Sequence, residues 1–138
     1  MNFNFLTKVT VIILFVSPCF FSSIAEPIII TSIDSKKIEP LSLFELKNLY
    51  TGKIRKIKIV VLSSGDTHND FIKNYIKKTT TQFKQHWKKL LFTGKASLPH
   101  ECSTQKEMIE YISKNPGTIG YIDSELFNKD LLVKVAIK

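Results

Sequence analysis

Short runs of β-branched residues alternate along this chain with segments whose apolar residues recur at helical spacing, and no other feature constrains the fold as strongly. The runs predicted as strands are 27–33, 57–62, 118–122 and 131–137. The segments predicted as helices are Leu43–Tyr50, Thr67–Lys78, Phe83–Leu91 and Met108–Ile112. Strands separated by helices are typical of layered α/β domains, so we expect three layers, with a mixed sheet flanked by helices.

Two of these helices carry a start signal in the sequence. Ser42 and Glu45 have the spacing of a capping box, in which each side chain bonds the backbone N–H of the other residue. Gly52 is placed to end that helix. Thr104 and Glu107 repeat the capping-box spacing before the last helix.

The first 25 residues have the three-part layout of a secretory signal peptide. A short stretch with Lys8 precedes the almost wholly apolar run 9–21, and small residues stand before a cut after Ala25. That run is shorter than the roughly 20 residues that span a bilayer. We therefore expect 1–25 to be removed, which would leave a periplasmic or secreted protein with no integral membrane span. An uncleaved membrane anchor is the alternative.

Residues 26–138 are long enough for a single domain with one core. Hydrophobic residues make up 43% of the chain, which excludes disorder over most of its length. Of the two cysteines only Cys102 lies in this part, so no internal disulfide can form there. We interpret its thiol as small, buried and inert, and packing alone must stabilise the core.

The positive charge of the chain does not indicate a nucleic-acid partner. Lys and Arg number 20 against 12 Asp and Glu, for a formal net charge of +8, but Arg55 is the only arginine. Bidentate recognition of phosphates and bases prefers arginine, and a secretory signal removes the protein from nucleic acid. Two interpretations of the positive charge remain. It forms a solvated cationic face, or it attracts anionic lipid headgroups or small anions.

The motifs of common enzyme classes are absent from the sequence. It contains no G-x-S-x-G elbow, no G-x-G-x-x-G loop and no P-loop. His68, His86 and His100 do not have the spacing of metal ligands. We therefore expect a protein that is not an enzyme, with no catalytic residues, no metal and no cofactor.

The junction between the second strand and the next helix is the best candidate binding site. A helix N-terminus presents unpaired N–H groups and the positive end of its dipole, which suits an anion. We expect Ser63, Ser64 and Thr67 to donate hydroxyl hydrogen bonds, and Gly65 and Thr67 to donate backbone N–H bonds. Open α/β sheets bind ligands beyond the carboxyl ends of their strands. An ordinary turn and helix cap uses the same residue types and is the alternative.

Four stretches of the chain carry a family resemblance. They are 41–53 (LSLFELKNLYTGK), 63–71 (SSGDTHNDF), 87–99 (WKKLLFTGKASLP) and 115–123 (NPGTIGYID). Together they resemble the phosphate ABC-transporter substrate-binding proteins, in particular their short single-lobe relatives. The resemblance implies one lobe of a type II periplasmic binding protein, phosphate or another small oxyanion as ligand, and a transporter or envelope protein as partner.

Departures from that family's pattern leave a second interpretation open. The family carries an arginine just before or within its Ser-Gly-Thr loop, whereas Arg55 lies upstream of the strand here. Asp66 separates Gly65 from Thr67, and its charge would repel an anion. The chain also has the length of one lobe, so it cannot close two lobes around a ligand. The alternative function is a ligand-free interaction module of the cell envelope.

Overall fold

The computed structural model describes residues 25–138. The predicted signal peptide, apart from Ala25, lies outside the described residues, so its cleavage stays a prediction. Within 25–138, no helix has the length and apolar character needed to cross a membrane.

Strands and helices alternate through the described residues. The strands are β1 Pro27–Ser32, β2 Lys58–Leu62, β3 His100–Cys102, β4 Thr118–Asp123 and β5 Leu132–Lys134. The helices are α1 Leu43–Tyr50, α2 Asp66–Phe71, α3 Thr80–Phe92 and α4 Gln105–Lys114. A π-helical turn, Ile72–Ile76, continues α2, and a 3-10 turn, Ser124–Leu126, follows β4.

The five strands form one mixed sheet in the order β3-β2-β4-β1-β5. Strand β2 runs parallel to β3 and β4, whereas β1 runs antiparallel to β4 and β5. Because β2, β3 and β4 are parallel, their carboxyl ends, at Leu62, Cys102 and Asp123, meet at one edge of the sheet. That edge is where the predicted binding loop leaves β2.

Helices cover both faces of the sheet, which confirms the predicted three-layer α/β fold. On one face, α4 packs so closely that a Cβ at Gly120 would lie 2.8 Å from Sδ of Met108. On the other face, the ring of Tyr121 stacks on Phe71 of α2 with centroids 3.8 Å apart, and Tyr50 of α1 lies edge-on to both rings. On the α4 side of β4 the core therefore consists of non-aromatic apolar side chains, and on the other side it consists of aromatic rings.

The local helix signals are largely as predicted. Ser42 and Glu45 form the full capping box, with Glu45 N–H donating to Ser42 Oγ at 3.1 Å and Ser42 N–H donating to Glu45 Oε2 at 2.9 Å. Only half of the second box forms. Thr104 accepts from Glu107 N–H, but the Glu107 carboxylate accepts from Ser103 N–H rather than from Thr104.

Several predicted boundaries are wrong. The helix predicted over 67–78 is α2 and the π-helical turn, and it ends at Lys77, whose φ of +60° cannot continue a helix. Helix α3 begins at Thr80, three residues before the predicted start at Phe83, because Thr79 caps it with its side chain. Strand β3 is missing from the prediction because three residues, two of them exposed, show no alternation. The last strand is shorter than 131–137 and spans only Leu132–Lys134.

Candidate functional site

The predicted loop leaves the sheet at the shared carboxyl edge of the parallel strands. Ser63 still belongs to the sheet through its backbone, since its N–H donates to Cys102 O at 2.9 Å. Ser64 and Gly65 then carry the exposed chain into α2. Gly65 has a φ of +106°, and a Cβ placed on it would meet nothing within 4 Å. The loop is therefore open to a ligand on this side.

The N-terminus of α2 lacks a side-chain cap. Ser42, Thr79 and Thr104 cap α1, α3 and α4 with their side chains, whereas Gly65 stands at this position in α2. The first backbone bond of the helix runs from Asn69 N–H to Gly65 O at 3.0 Å.

The N–H groups that precede that bond, on Asp66, Thr67 and His68, have no acceptor within the helix. The exposed Asp66 occupies the first helical position, so its side chain does not serve as the N-cap. Uncapped N–H groups at a helix start can hydrogen-bond an anion.

The side chain of Thr67 takes part in a network that ties α2 to β4 and α4. Its hydroxyl donates to Asp123 Oδ1 at 2.8 Å and accepts from Gln105 Nε2 at 3.0 Å. Gln105 also donates to Asp123 Oδ2 and accepts from Asp123 N–H. We expected the Thr67 hydroxyl to donate its proton to a ligand, but in the structure it donates that proton to Asp123. A ligand-binding role for this hydroxyl stays a prediction.

A buried pair that the sequence did not indicate lies beneath the loop. Nδ1 of His68 is 2.6 Å from the hydroxyl of Tyr121, and that hydroxyl accepts from Leu62 N–H at 2.9 Å. Burial, with a smaller contribution from the charge of Lys84, lowers the pKa of His68. Burial also raises the pKa of Tyr121. Both side chains are therefore uncharged near neutral pH, and the pair links β2, β4 and α2.

A cavity of about 410 Å³ lies between β2, α2, α3 and the segment before β3. Of the predicted site residues, Ser63 and Ser64 line it, whereas Gly65 and Thr67 do not. The structure thus divides the predicted set between two neighbouring places, the cavity and the start of α2. The sequence gave no signal for this cavity, because its walls come from four separate segments.

Two further residues singled out from the sequence lie away from the loop. Arg55 bonds the carbonyl oxygens of Gly52 and Lys95 and precedes β2, so it lies at the opposite end of that strand. Cys102 is a buried free thiol, and burial first, then Glu107 and Glu101, raises its pKa to about 11. Among the described residues, no three His, Cys, Asp or Glu side chains are grouped so that they could hold a metal.

Comparison with known proteins gives no match in sequence and a clear match in fold. No protein-family model matches the chain, and no curated protein does. A candidate phosphate ABC transporter substrate-binding protein from Clostridium perfringens, solved with bound phosphate, has a TM-score of 0.62 and 16% identity over 81% of this chain and 44% of that one. PstS from Borrelia burgdorferi has a TM-score of 0.58 and 22% identity over 82% of this chain and 47% of that one.

An ABC-type phosphate transport receptor from Vibrio cholerae matches at a TM-score of 0.60 and 12% identity, over 81% of this chain and 46% of that one. The chain therefore spans less than half the length of each of these three solved proteins. Identities this low establish a shared fold, and the resemblance predicted from the sequence is confirmed at that level. The described residues have the α/β fold of one lobe of a phosphate ABC transporter substrate-binding protein.

Proposed function

We propose that this chain is a periplasmic or secreted solute-binding protein that weakly holds phosphate or another small oxyanion at the start of α2. One observation carries the proposal. The uncapped N-terminus of α2 follows an open Gly65 at the carboxyl edge of the parallel strands, in a fold shared with a protein solved with bound phosphate. Ligands of open α/β sheets bind at such edges.

The donors that we assign to the anion come from the loop and the first turn of α2. The hydroxyls of Ser63 and Ser64 are exposed, and the backbone N–H groups of Gly65 and Thr67 complete the set. The Thr67 hydroxyl would join them only by giving up its bond to Asp123. Lysines supply a diffuse positive potential, in keeping with the net charge of +8.

Two features keep the proposed affinity low. The exposed carboxylate of Asp66 stands beside the donors, where it would repel a dianion. Arg55, the only arginine, lies at the far end of β2, so no guanidinium offers a bidentate bond.

We assign the chain to transport or sensing, as a non-enzymatic accessory to an envelope or transporter protein. The location rests on the signal-peptide pattern of residues 1–25, and the transporter connection rests on the phosphate-transport proteins that share the fold. A second function, a ligand-free interaction module of the envelope, is favoured by the position of Arg55 and by the charge of Asp66.

Calorimetric titration of phosphate into residues 26–138, which contain every described element, tests the proposal. We expect saturable heat with phosphate and weaker binding of sulfate. A Ser63→Ala, Ser64→Ala double variant should bind phosphate about tenfold more weakly, since two donors are lost. Ser97→Ala, at an exposed serine before β3, is the control and should bind as the parent does. Heat with phosphate no larger than with sulfate would support the interaction module instead.

A further inference from the structure

We propose that the cavity between β2, α2 and α3 binds a small organic carboxylate with an apolar body, such as a branched or cyclic aliphatic acid. This site lies beside the start of α2 but does not include Gly65 or Thr67. Ser63 and Ser64 line both places, but the donors used by this proposal are His68, Lys84 and Lys88, so it does not rest on oxyanion binding at the loop. Its volume of about 410 Å³ suits a small organic molecule.

The apolar walls of the cavity indicate that the ligand has an apolar body. Val61, Phe83, Trp87 and Leu98 all line the cavity. Trp87 gives its single N–H to Tyr50 O at 3.0 Å, so the indole has no polar group left for a ligand and offers apolar surface. Leu98 is 54% exposed at this place, and a bound apolar group would remove its side chain from water.

The first evidence for the carboxylate end of the ligand comes from His68. This residue is only 6% exposed, and it lines the cavity. Its Nδ1 faces the Tyr121 hydroxyl, whose oxygen already accepts from Leu62 N–H. In the tautomer in which the phenolic proton points to Nδ1, the neutral imidazole carries its own proton on Nε2 and can donate it.

The hydrogen bond of the His68 side chain to a described residue is made by Nδ1, and none is made by Nε2. Because Nδ1 is turned toward Tyr121, Nε2 is the polar atom of His68 that remains to face the cavity. Every fully buried side-chain nitrogen and oxygen of the described residues has a hydrogen-bond partner, so the unpartnered Nε2 is an atom that solvent or a ligand can reach. A carboxylate oxygen is an acceptor for its N–H.

The charge of the lining also favours an anion. Lys84 and Lys88 stand one turn apart on α3, and both line the cavity, whereas Glu101 is its one carboxylate. Within the part of the chain that the structure describes, neither lysine forms an ion pair, and Glu101 does not pair with them. The lysines are therefore available to a ligand.

A compact, strongly hydrated ion such as phosphate fits this cavity less well than an organic acid does. It would satisfy His68 and the two lysines but would leave the exposed side chain of Leu98 in contact with water. An organic carboxylate satisfies the donors and covers the apolar walls with one molecule. The shape and chemistry of the lining thus point to an amphipathic ligand.

The fluorescence of Trp87 provides a direct test, because it is the only tryptophan of the chain and lines the cavity. Cyclohexylacetate, which does not absorb at the excitation wavelength, is titrated into residues 26–138, and its neutral isostere cyclohexylacetamide is titrated in parallel. We expect a saturable change in emission with the acid and at least about tenfold weaker binding of the amide, which lacks the charge.

Two variants of exposed lysines on α3 provide the matched comparison. Lys84→Met should weaken binding of cyclohexylacetate by about tenfold, because a cation is removed from the lining. Lys89→Met removes the same charge from the same helix at a position outside the lining and should bind as the parent does. Inorganic phosphate should not displace the acid.

Three results would overturn the proposal of a separate carboxylate site. They are the absence of a saturable change with the acid, equal binding of the acid and the amide, and equal losses in the Lys84→Met and Lys89→Met variants. Displacement of the acid by phosphate would show that one site serves both ligands, which also contradicts it. None of these results depends on whether phosphate gives heat by itself, so the two proposals fail separately.

Discussion

The hydroxyl of Tyr121 on β4 lies 2.6 Å from Nδ1 of His68 on α2, and both side chains are buried. The same hydroxyl accepts from Leu62 N–H where β2 ends. One oxygen atom therefore fixes the start of α2 against the two strands whose carboxyl ends flank it. Both the proposed oxyanion donors and the cavity next to them depend on this position of α2.

Removing that hydroxyl should destabilise the fold. Tyr121→Phe leaves Leu62 N–H and Nδ1 of His68 without their partner inside the protein, and we expect a loss of about 1–3 kcal/mol in the free energy of unfolding. Urea denaturation measures the loss. Tyr111→Phe is the control, since Tyr111 is only half-buried and its hydroxyl bonds no described residue. Equal losses in the two variants would contradict this role of Tyr121.

His68 should make stability depend on pH on the acid side of neutrality. Burial lowers its pKa in the folded protein, so the unfolded chain takes up this proton first as the pH falls. Stability is therefore complete above the unfolded pKa of about 6.5 and is lost as the pH falls from there toward the folded pKa.

Denaturation at pH 7 and at pH 5.5 should thus give a smaller free energy of unfolding at the lower pH. His68→Gln should reduce this difference, because the titrating group is gone. His100→Gln removes an imidazole from an exposed position and serves as the control. The prediction would be wrong if the difference between the two pH values were the same in His68→Gln as in the parent.

The close approach of α4 to the sheet should make Gly120 intolerant of a side chain. A Cβ there would overlap Cδ1 of Ile112 and crowd Sδ of Met108, which also accepts from Tyr121 N–H. We expect Gly120→Ala to cost about 1–3 kcal/mol. Ile112→Val deletes the overlapping methyl group, so the alanine should cost less in that background, as a double-mutant cycle would measure. Additive costs would show that the overlap is not the cause.

The hydroxyl of Thr67 should contribute to stability through Asp123 and Gln105. Thr67→Val keeps the volume of the side chain and removes two hydrogen bonds, one of them to a carboxylate, at a cost of about 1–3 kcal/mol. Thr67→Ser keeps the hydroxyl and should lose less. Thermal or urea denaturation of the two variants decides the matter, and a serine variant as unstable as the valine variant would count against the network.

The parts of the fold that could be predicted are those set by neighbours in sequence. The capping box of Ser42 and Glu45 spans three residues, and the apolar periodicity of each long helix is visible in a single window. The alternation of these elements was sufficient for the fold class. Strand β3 was missed because it is a strand only through its pairing with β2, which lies far away in the chain.

The sequence was sufficient to locate the loop of the candidate site, but it did not show which distant residues contact that loop. Glycine and serine after a buried strand indicate the loop, and the structure does put Ser63, Ser64 and Gly65 there. Nothing local shows that Thr67 meets Asp123, 56 positions away, or that His68 meets Tyr121, 53 positions away. Those partners are brought together only by the parallel pairing of β2 with β4, which the pattern of a single strand does not specify.

The most direct test of oxyanion binding at the start of α2 is the response of the backbone amides to phosphate. In ¹⁵N-labelled residues 26–138, titration with phosphate should shift the amide resonances of Gly65, Asp66, Thr67 and His68 saturably and more than any others, with weaker shifts in sulfate. These shifts also assign the anion to individual N–H groups, which the heat of calorimetry does not. Unchanged amides at these four positions up to tens of millimolar phosphate would contradict the account.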